Sequence, residues 1–490
     1  MKIKFSNLGS IQETELDLRP LTVIIGPNNS GKTYIAYSTY GLWQRVTRTL
    51  NIYKGQLDFK EEDNGIWSLP IDNNLLDFFI RDAEEMAKSF QGSSLESFFQ
   101  DSSRKLFSNT LFSIIISRQE VENAINILTQ QESFHLEIVY LEYGIPIKLK
   151  ISRQNNKLFF MLQPKNEKNN INEYRLLIEY FQDYHQTNTP EIYFIDIIKQ
   201  IIFSAKIFPF PAERNAFINT YKILSNRRYR LLKQTQRELL INSSSERQFE
   251  LLKEQGDIRY PQPVEDFLDF LTEIELQETT KINSSNKNEF QKLADEIEKQ
   301  LQNKNKTNLK PTKLGGKEIK VSVKRGLEID LYNASSSIKQ LAPLLLYLRY
   351  RARKGDFLVI DEPEMNLHPE SQAKLLEALS ILVNLGVRIL LTTHSPYIMA
   401  HLNNLVNGNH ENYEMLKRQS SSLYLQDERA FLHKDKVSAY EMKDNKLVSL
   451  NDPDYGIRWD TLSDVSVDIQ QKFFQIYEAG QEKPDEETEE

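Results

Sequence analysis

The 490-residue chain has no cysteine. Disulfides, thiol nucleophiles, iron–sulfur clusters and cysteine-ligated zinc are thereby excluded. Histidine is scarce: there are seven, with no H-x-x-x-H or similar pairing, so a protein-built zinc site is not expected. Positive charge is not in excess either. A formal net charge of −8 gives the whole molecule no electrostatic footprint for nucleic acid, which leaves only a local basic patch to provide one. No apolar run approaches the roughly 20 residues of a membrane-spanning helix. The opening "MKIKFSNLGS" alternates polar and apolar residues instead of presenting a signal segment. We therefore expect a soluble, cytoplasmic protein with no membrane contact.

What is present is enough apolar content, 40%, for a sizeable core, in a chain longer than one compact domain usually holds. Residues 1–48 read as short strands and a helix: "IKF" and "TELDL" alternate, "LTVIIG" is a buried strand ending in glycine, and 33–48 run helically. From 318 the alternation of strand and helix returns. It comprises "EIKVSVKR", "LEIDLY", a helix at 336–352, a strand at 357–361, a helix at 369–384, a strand at 387–392 and a helix at 395–402. Between these pieces, 49–317 reads as a large, mostly helical α+β insertion. It holds meander strands in "FHLEIVYLEYGIPIKLKIS" and "KLFFML", an apolar helix at 191–205, and a charged helical stretch at 213–255. An amphipathic helix follows at 289–303, with polar flanks that read as linkers. Residues 406–480 are expected to form a C-terminal hairpin, "VSAYEMKDNKLVSL", and a helix at 464–478; 481–490 is an acidic tail. The expected fold class is α/β, with a core split between 1–48 and 318–405.

Three stretches carry chemistry. "GPNNSGKT" (Gly26, Pro27, Asn28, Asn29, Ser30, Gly31, Lys32, Thr33) fits G-x-x-x-x-G-K-[ST], directly after a strand and before a helix. In that context the glycines let backbone N–H groups turn inward and the helix N-terminus faces the phosphates. Lys32 neutralises the β- and γ-phosphates, and Thr33 offers its hydroxyl to Mg²⁺. The bland alternative is a Gly/Asn turn. "DFLVIDEPEMNLHPE" brings Asp361 out at a buried strand's C-terminal end, where ligands bind in open α/β sheets. Asp361 there suits Mg²⁺, and the adjacent Glu362 suits a general base for attacking water. The alternative is an acidic turn stopped by Pro363. "VRILLTTHSPYIMAHL" is a second buried strand ending at His394, whose imidazole either meets the γ-phosphate and attacking water or caps the next helix. A fourth stretch, "NASSSIKQL", is either a capped helix or half of a nucleotide site.

In this order the four motifs resemble those of the ATP-binding-cassette ATPases, and within them the soluble SMC/RecF/OLD-like branch. The likeness lies in D-E-P-E…L-H-P, T-H-S-P and the N-terminal "FSNLGSIQETELDLRPLTVIIGPNNSGKT", and it covers 1–48 and 318–405. The resemblance implies a P-loop nucleotide-binding domain that binds ATP with Mg²⁺, held by Lys32, Thr33 and the Walker B residue Asp361. It makes Glu362 the catalytic base and His394 the switch histidine. It implies a homodimer, or a higher homo-oligomer, with ATP sandwiched between one subunit's P-loop and the other's signature motif. Here Ser335, Ser336 and Ser337 occupy the signature register, and serines stand where glycine is usual. The segment from Glu364 to His368 matches the region that touches the opposite subunit.

The same resemblance suggests what hydrolysis drives. Stand-alone ATPases of this kind, without a TOPRIM nuclease domain, occur in bacterial anti-phage systems beside a separate nuclease or toxin. A nucleotide-gated dimer acting on such an effector is therefore the expected function. The alternative is a DNA-binding repair or recombination ATPase of the SMC/RecF type, with "SNRRYRLLKQTQR" (225–237) as the basic helix face. A P-loop kinase fits less well, because of the Asp361–Glu362 pair. The D-x-D of Asp452 and Asp454 reads as a turn. In "FPFPAERNAF", Pro211 and Glu213 suit a first helical turn, and Arg214 could reach a phosphate across the dimer or simply start the helix.

Overall fold

A computed structural model describes residues 1–48, 57–63, 66–129, 134–139, 146–154, 156–164, 199, 206–223, 260–276, 287–312, 317–458, 468 and 470–475. The basic stretch 225–237, the expected helix at 191–205 apart from Lys199, and the acidic tail lie outside the described residues.

The two pieces of the split core share one six-stranded sheet. Its order is Ile207–Phe210, Phe357–Asp361, Arg388–Thr393, Leu21–Ile25, Val437–Lys443 and Lys446–Ser449. The first five strands run parallel and the last pairs antiparallel. A parallel sheet covered on both faces requires strands that are apolar throughout. Accordingly Leu21, Val23, Ile25, Leu358, Ile360, Ile389 and Leu391 fill one core, and Ile24, Phe357, Val359 and Leu390 fill the other. Helices Ser336–Tyr350, Pro369–Asn384 and Pro396–Asn407 pack into the first core; Lys32–Arg48 and Asn73–Ser89 pack into the second. Each fully buried Leu or Ile contributes roughly 1.5–3 kcal/mol.

Register decides what meets at the sheet edge. Asp361 lies opposite Thr392, and Thr393 lies opposite Ile25. Three adjacent strands therefore end level, and the segments that follow each of them emerge side by side.

Three strands of this sheet come from outside the expected core. "IFPF" at Ile207–Phe210, inside the presumed insertion, forms the edge strand beside Phe357–Asp361. Pro209 suits an edge, because it has no N–H for a second neighbour. The hairpin at 437–449 does not stand apart as a C-terminal unit. Its first strand runs parallel to Leu21–Ile25, and Met442 packs against the phosphate loop. The polar flank after 303 is also ordered: Lys306–Pro311 is a strand of a three-stranded sheet with Lys317–Lys324 and Leu327–Asp330. The buried Glu298 carboxylate fixes it by accepting the Thr307 N–H (2.7 Å) and pairing with the Arg349 guanidinium.

Three further antiparallel sheets are described, the smallest pairing Asn451–Asp452 with Gly456–Ile457. Lys2–Leu8 lies between Ile11–Asp17 and Leu111–Ile115. The expected meander joins Lys60–Asp63 and Ile66–Pro70 in a five-stranded sheet with Lys157–Pro164, Pro146–Gln154 and Phe134–Val139. The Asp452 carboxylate accepts the N–H groups of Asp454 and Tyr455, which makes "NDPDYG" a turn. Among the described residues no helix is long and apolar enough to cross a membrane.

Candidate functional site

The phosphate loop is shaped by close packing at its two glycines. A Cβ on Gly26 would lie 2.7 Å from the Met442 Cβ, and one on Gly31 would lie 2.8 Å from Ile11 Cδ1, at a φ of +92°. Neither position accepts a side chain without displacing its neighbour. Asn29, at φ +60°, takes the left-handed conformation that asparagine tolerates best after glycine. The loop passes directly into helix Lys32–Arg48, whose first N–H groups have no partner within the helix.

Above this loop lies a cavity of about 810 Å³, lined by Asn28, Asn29, Ser30, Gly31, Lys32, Thr33, Tyr34, Glu362 and His394. Three segments distant in sequence meet there because their strands end level. Lys32 is 5% exposed, and its ammonium donates to the carbonyls of Gly26 (2.9 Å) and Pro27 (2.8 Å). Burial lowers its pKa, opposed by the charges of Glu362, Asp361 and Glu364.

Asp361 is buried at the end of its strand. The Thr33 hydroxyl donates to its Oδ2 at 3.1 Å, and the Thr392 hydroxyl donates to its Oδ1. Burial raises its pKa, and the two hydroxyl hydrogen bonds oppose that rise. A hydroxyl and a carboxylate facing each other beside a phosphate loop are the donor set for a divalent cation whose remaining ligands are phosphate and water. Among the described residues there is no cluster of three or more His, Asp or Glu that could hold a metal unaided. Thr33 and Asp361 thus fit a divalent cation as two of its ligands.

Glu362 adopts φ +47°, an uncommon conformation for a residue with a Cβ, and its N–H donates to the Thr392 carbonyl at 3.1 Å. Its Oε1 lies 2.8 Å from His394 Nε2, and His394 Nδ1 lies 3.5 Å from Lys32 Nζ. A neutral imidazole protonated on Nε2 satisfies both contacts, with Glu362 as acceptor and Lys32 as donor. Glu364 is turned into its own chain: its Oε1 accepts from the Thr393 hydroxyl (2.6 Å) and the His394 N–H (2.7 Å). It fixes the backbone that carries the histidine. His368 caps the following helix by accepting the Glu370 N–H.

The residues of "GPNNSGKT", Asp361, Glu362 and His394 are therefore brought together, whereas the three serines are not. Ser335 is the N-cap of helix Ser336–Tyr350, accepting the Ile338 N–H at 3.4 Å, and its Oγ lies 3.1 Å from that of Ser337. Ser335 and Ser336 are exposed and line no part of the cavity. Arg214 does not project outward as a cross-subunit phosphate ligand. It is 3% exposed, and its guanidinium is taken up by backbone carbonyls of its own chain.

Sequence reading missed Thr392 and Glu364 as site residues. Both stand in the quoted motifs, but only the pairing of the strands shows that Thr392 faces Asp361 and that Glu364 reaches His394.

A family model described as "AAA ATPase domain" matches residues 1–399. No curated protein matches significantly. Among solved structures, an SMC head bound to the C-winged helix domain of ScpA is 10% identical over 92% of this chain and 97% of that one, at a TM-score of 0.35. An Smc head domain with an extended coiled coil, bound to the C-terminal domain of ScpA from Pyrococcus furiosus, is 11% identical over 96% and 98%, at a TM-score of 0.31. Likenesses this distant transfer neither partners nor site residues.

Proposed function

The chain belongs to the AAA ATPase domain family, and on that premise we propose that it binds ATP with Mg²⁺ in the Asn28–Tyr34 cavity and hydrolyses it there. The observation that carries this reading is the convergence of two pairs on one phosphate loop: Thr33 with Asp361, and Glu362 with His394. In this reading Lys32 exchanges the Gly26 and Pro27 carbonyls for phosphate oxygens. Thr33 and Asp361 hold Mg²⁺, which offsets phosphate charge when bound. Glu362 accepts the proton of the water whose oxygen attacks the γ-phosphorus, and ADP leaves. His394 holds the Glu362 carboxylate in place and, neutral, donates to it or to the incoming oxyanion. Phosphate release that requires both ATP and Mg²⁺, and stops with EDTA, tests this. A purified chain with no such activity would refute it.

The exposed serines support a second element, a sandwich of two copies. A 15-residue helix starts at Ser336, N-capped by Ser335, away from its own cavity. Its first N–H groups, those of Ser336 and Ser337, would meet a γ-phosphate held by another copy. Replacing Ser335 with Arg blocks that approach. ATP binding to the P-loop should stay within about threefold, while hydrolysis falls by about 100-fold or more, the usual cost of losing an oxyanion donor. Light scattering should show that the variant no longer dimerises with ATP. An unchanged rate together with an intact dimer would reduce the stretch to a helix cap.

The resemblance of the motif set to stand-alone anti-phage ATPases supports gating of a separate nuclease or toxin by this dimer. Co-purification with the product of the neighbouring gene, strengthened by ATP, tests that. Hydrolysis stimulated by DNA in a salt-dependent way would favour the repair-type alternative instead.

A further inference from the structure

The general base proposed above sits on strained backbone, and one buried side chain grips that backbone on both sides. The Arg214 Nη1 donates to the carbonyl of Asp361 at 2.8 Å, and Nη2 donates to that of Glu362 at 3.1 Å. These are the carbonyls immediately before and after the φ and ψ of Glu362, whose φ is +47°. The same guanidinium reaches the Pro211 carbonyl at 2.7 Å through Nη1 and the Gln340 carbonyl at 3.3 Å through Nε. Four carbonyls from three segments thus converge on one planar fork: the edge-strand end, the acidic strand end, and the helix that begins at Ser336.

This is an expensive arrangement for a purely structural role. Burying a cation is costly unless it is compensated, and a neutral side chain of similar volume is often as stable. Among the described residues no carboxylate oxygen is within hydrogen-bond distance of Arg214; the compensation is peptide dipoles, with the charges of Asp361, Glu364 and Glu362 nearby. What those dipoles have in common is that two of them flank the base. The Gln340 amide joins the clamp. In one orientation its nitrogen lies 3.4 Å from the Glu362 carbonyl; flipped, its oxygen accepts from Arg214 Nη2 at 2.5 Å.

We propose that Arg214 is a positioning residue for hydrolysis, holding the peptides on either side of Glu362 so that its carboxylate stays aimed into the cavity, and tying that aim to the helix N-capped by Ser335. The proposal rests on Glu362 being the base. It explains how a helix outside the cavity is mechanically connected to the reacting group: movement of Ser336–Tyr350 moves the Gln340 carbonyl, and with it the fork that sets Glu362.

Arg214→Lys keeps the charge but offers a point donor in place of a planar fork. It can satisfy one carbonyl of the set. A base displaced by about 1 Å loses about 100-fold in rate, so kcat should fall by roughly 30- to 100-fold while KM and ATP affinity stay within about threefold, because the phosphate loop does not touch Arg214. A merely structural defect would lower binding and kcat together. In the Glu362→Gln background the same substitution should lower the residual rate no further, since there is no base left to aim. Gln340→Leu leaves the buried cation in place and disturbs the clamp alone, so it decides the matter should Arg214→Lys fail to fold. It should lower kcat by about three- to tenfold, again at constant KM. A kcat within about twofold of the parent for Gln340→Leu, or for a folded Arg214→Lys, overturns the proposal. If Glu362→Gln itself retains the full rate, it is the ATPase reading of Glu362 that fails.

Discussion

Glu362→Gln slows phosphate release by about 100- to 10,000-fold, the range that general-base catalysis usually contributes, and leaves an ATP-bound dimer that does not dissociate. Glutamine keeps the shape of the side chain and the oxygen that faces His394 Nε2 at 2.8 Å. It cannot take up a proton. The backbone at φ +47° and the hydrogen bond from its N–H to the Thr392 carbonyl do not depend on the side-chain charge. Binding should therefore persist, or tighten slightly, because one negative charge next to the γ-phosphate is removed. Phosphate release under saturating ATP reads the first effect, and size-exclusion with light scattering reads the second. A variant that turns over normally removes Glu362 from the mechanism. One that neither turns over nor dimerises separates the base from the sandwich.

Lys32→Ala weakens ATP binding by about 10- to 100-fold, the equivalent of one charge-assisted hydrogen bond of about 1.5–3 kcal/mol. The ammonium is already buried, donating to the Gly26 and Pro27 carbonyls and lying 3.5 Å from His394 Nδ1. It needs to move little to reach a phosphate, and it does so without a large new desolvation cost. Alanine at the first helical position suits the helix, so the fold should survive. Calorimetric titration with ATP and Mg²⁺ measures the loss. Affinity equal to that of the parent chain would place the nucleotide elsewhere.

Much of the site could be read from the sequence because each part sits at the end of an apolar run. "LTVII", "FLVID" and "RILLTT" are buried strands, and a polar residue that ends such a run must emerge at the sheet edge. Gly26–Thr33, Asp361, Glu362 and His394 follow from that alone, once the strands are taken as neighbours. What could not be read depends on contacts remote in sequence. "IFPF" is only four residues long and contains proline, so it carries no strand signal until its edge position is known. The hairpin at 437–449 was legible as a hairpin, but nothing local shows that Val437 pairs beside Leu21 or that Met442 closes on Gly26. Arg214 illustrates the limit most clearly. An arginine at the start of a helix reads as exposed, and here it is drawn inward by four carbonyls whose convergence only the tertiary fold creates. The role of Glu364 was out of reach for the same reason, since its partners, the Thr393 hydroxyl and the His394 N–H, come from another strand end.

The most direct test is the structure of the Glu362→Gln chain with ATP and Mg²⁺. The account predicts triphosphate in the Asn28–Tyr34 cavity, Mg²⁺ between the Thr33 hydroxyl and Asp361, and the Ser335 end of a second copy's helix against the γ-phosphate. Nucleotide bound away from the Gly26–Thr33 loop, or bound there with Asp361 and residue 362 both remote from the γ-phosphate, would contradict it.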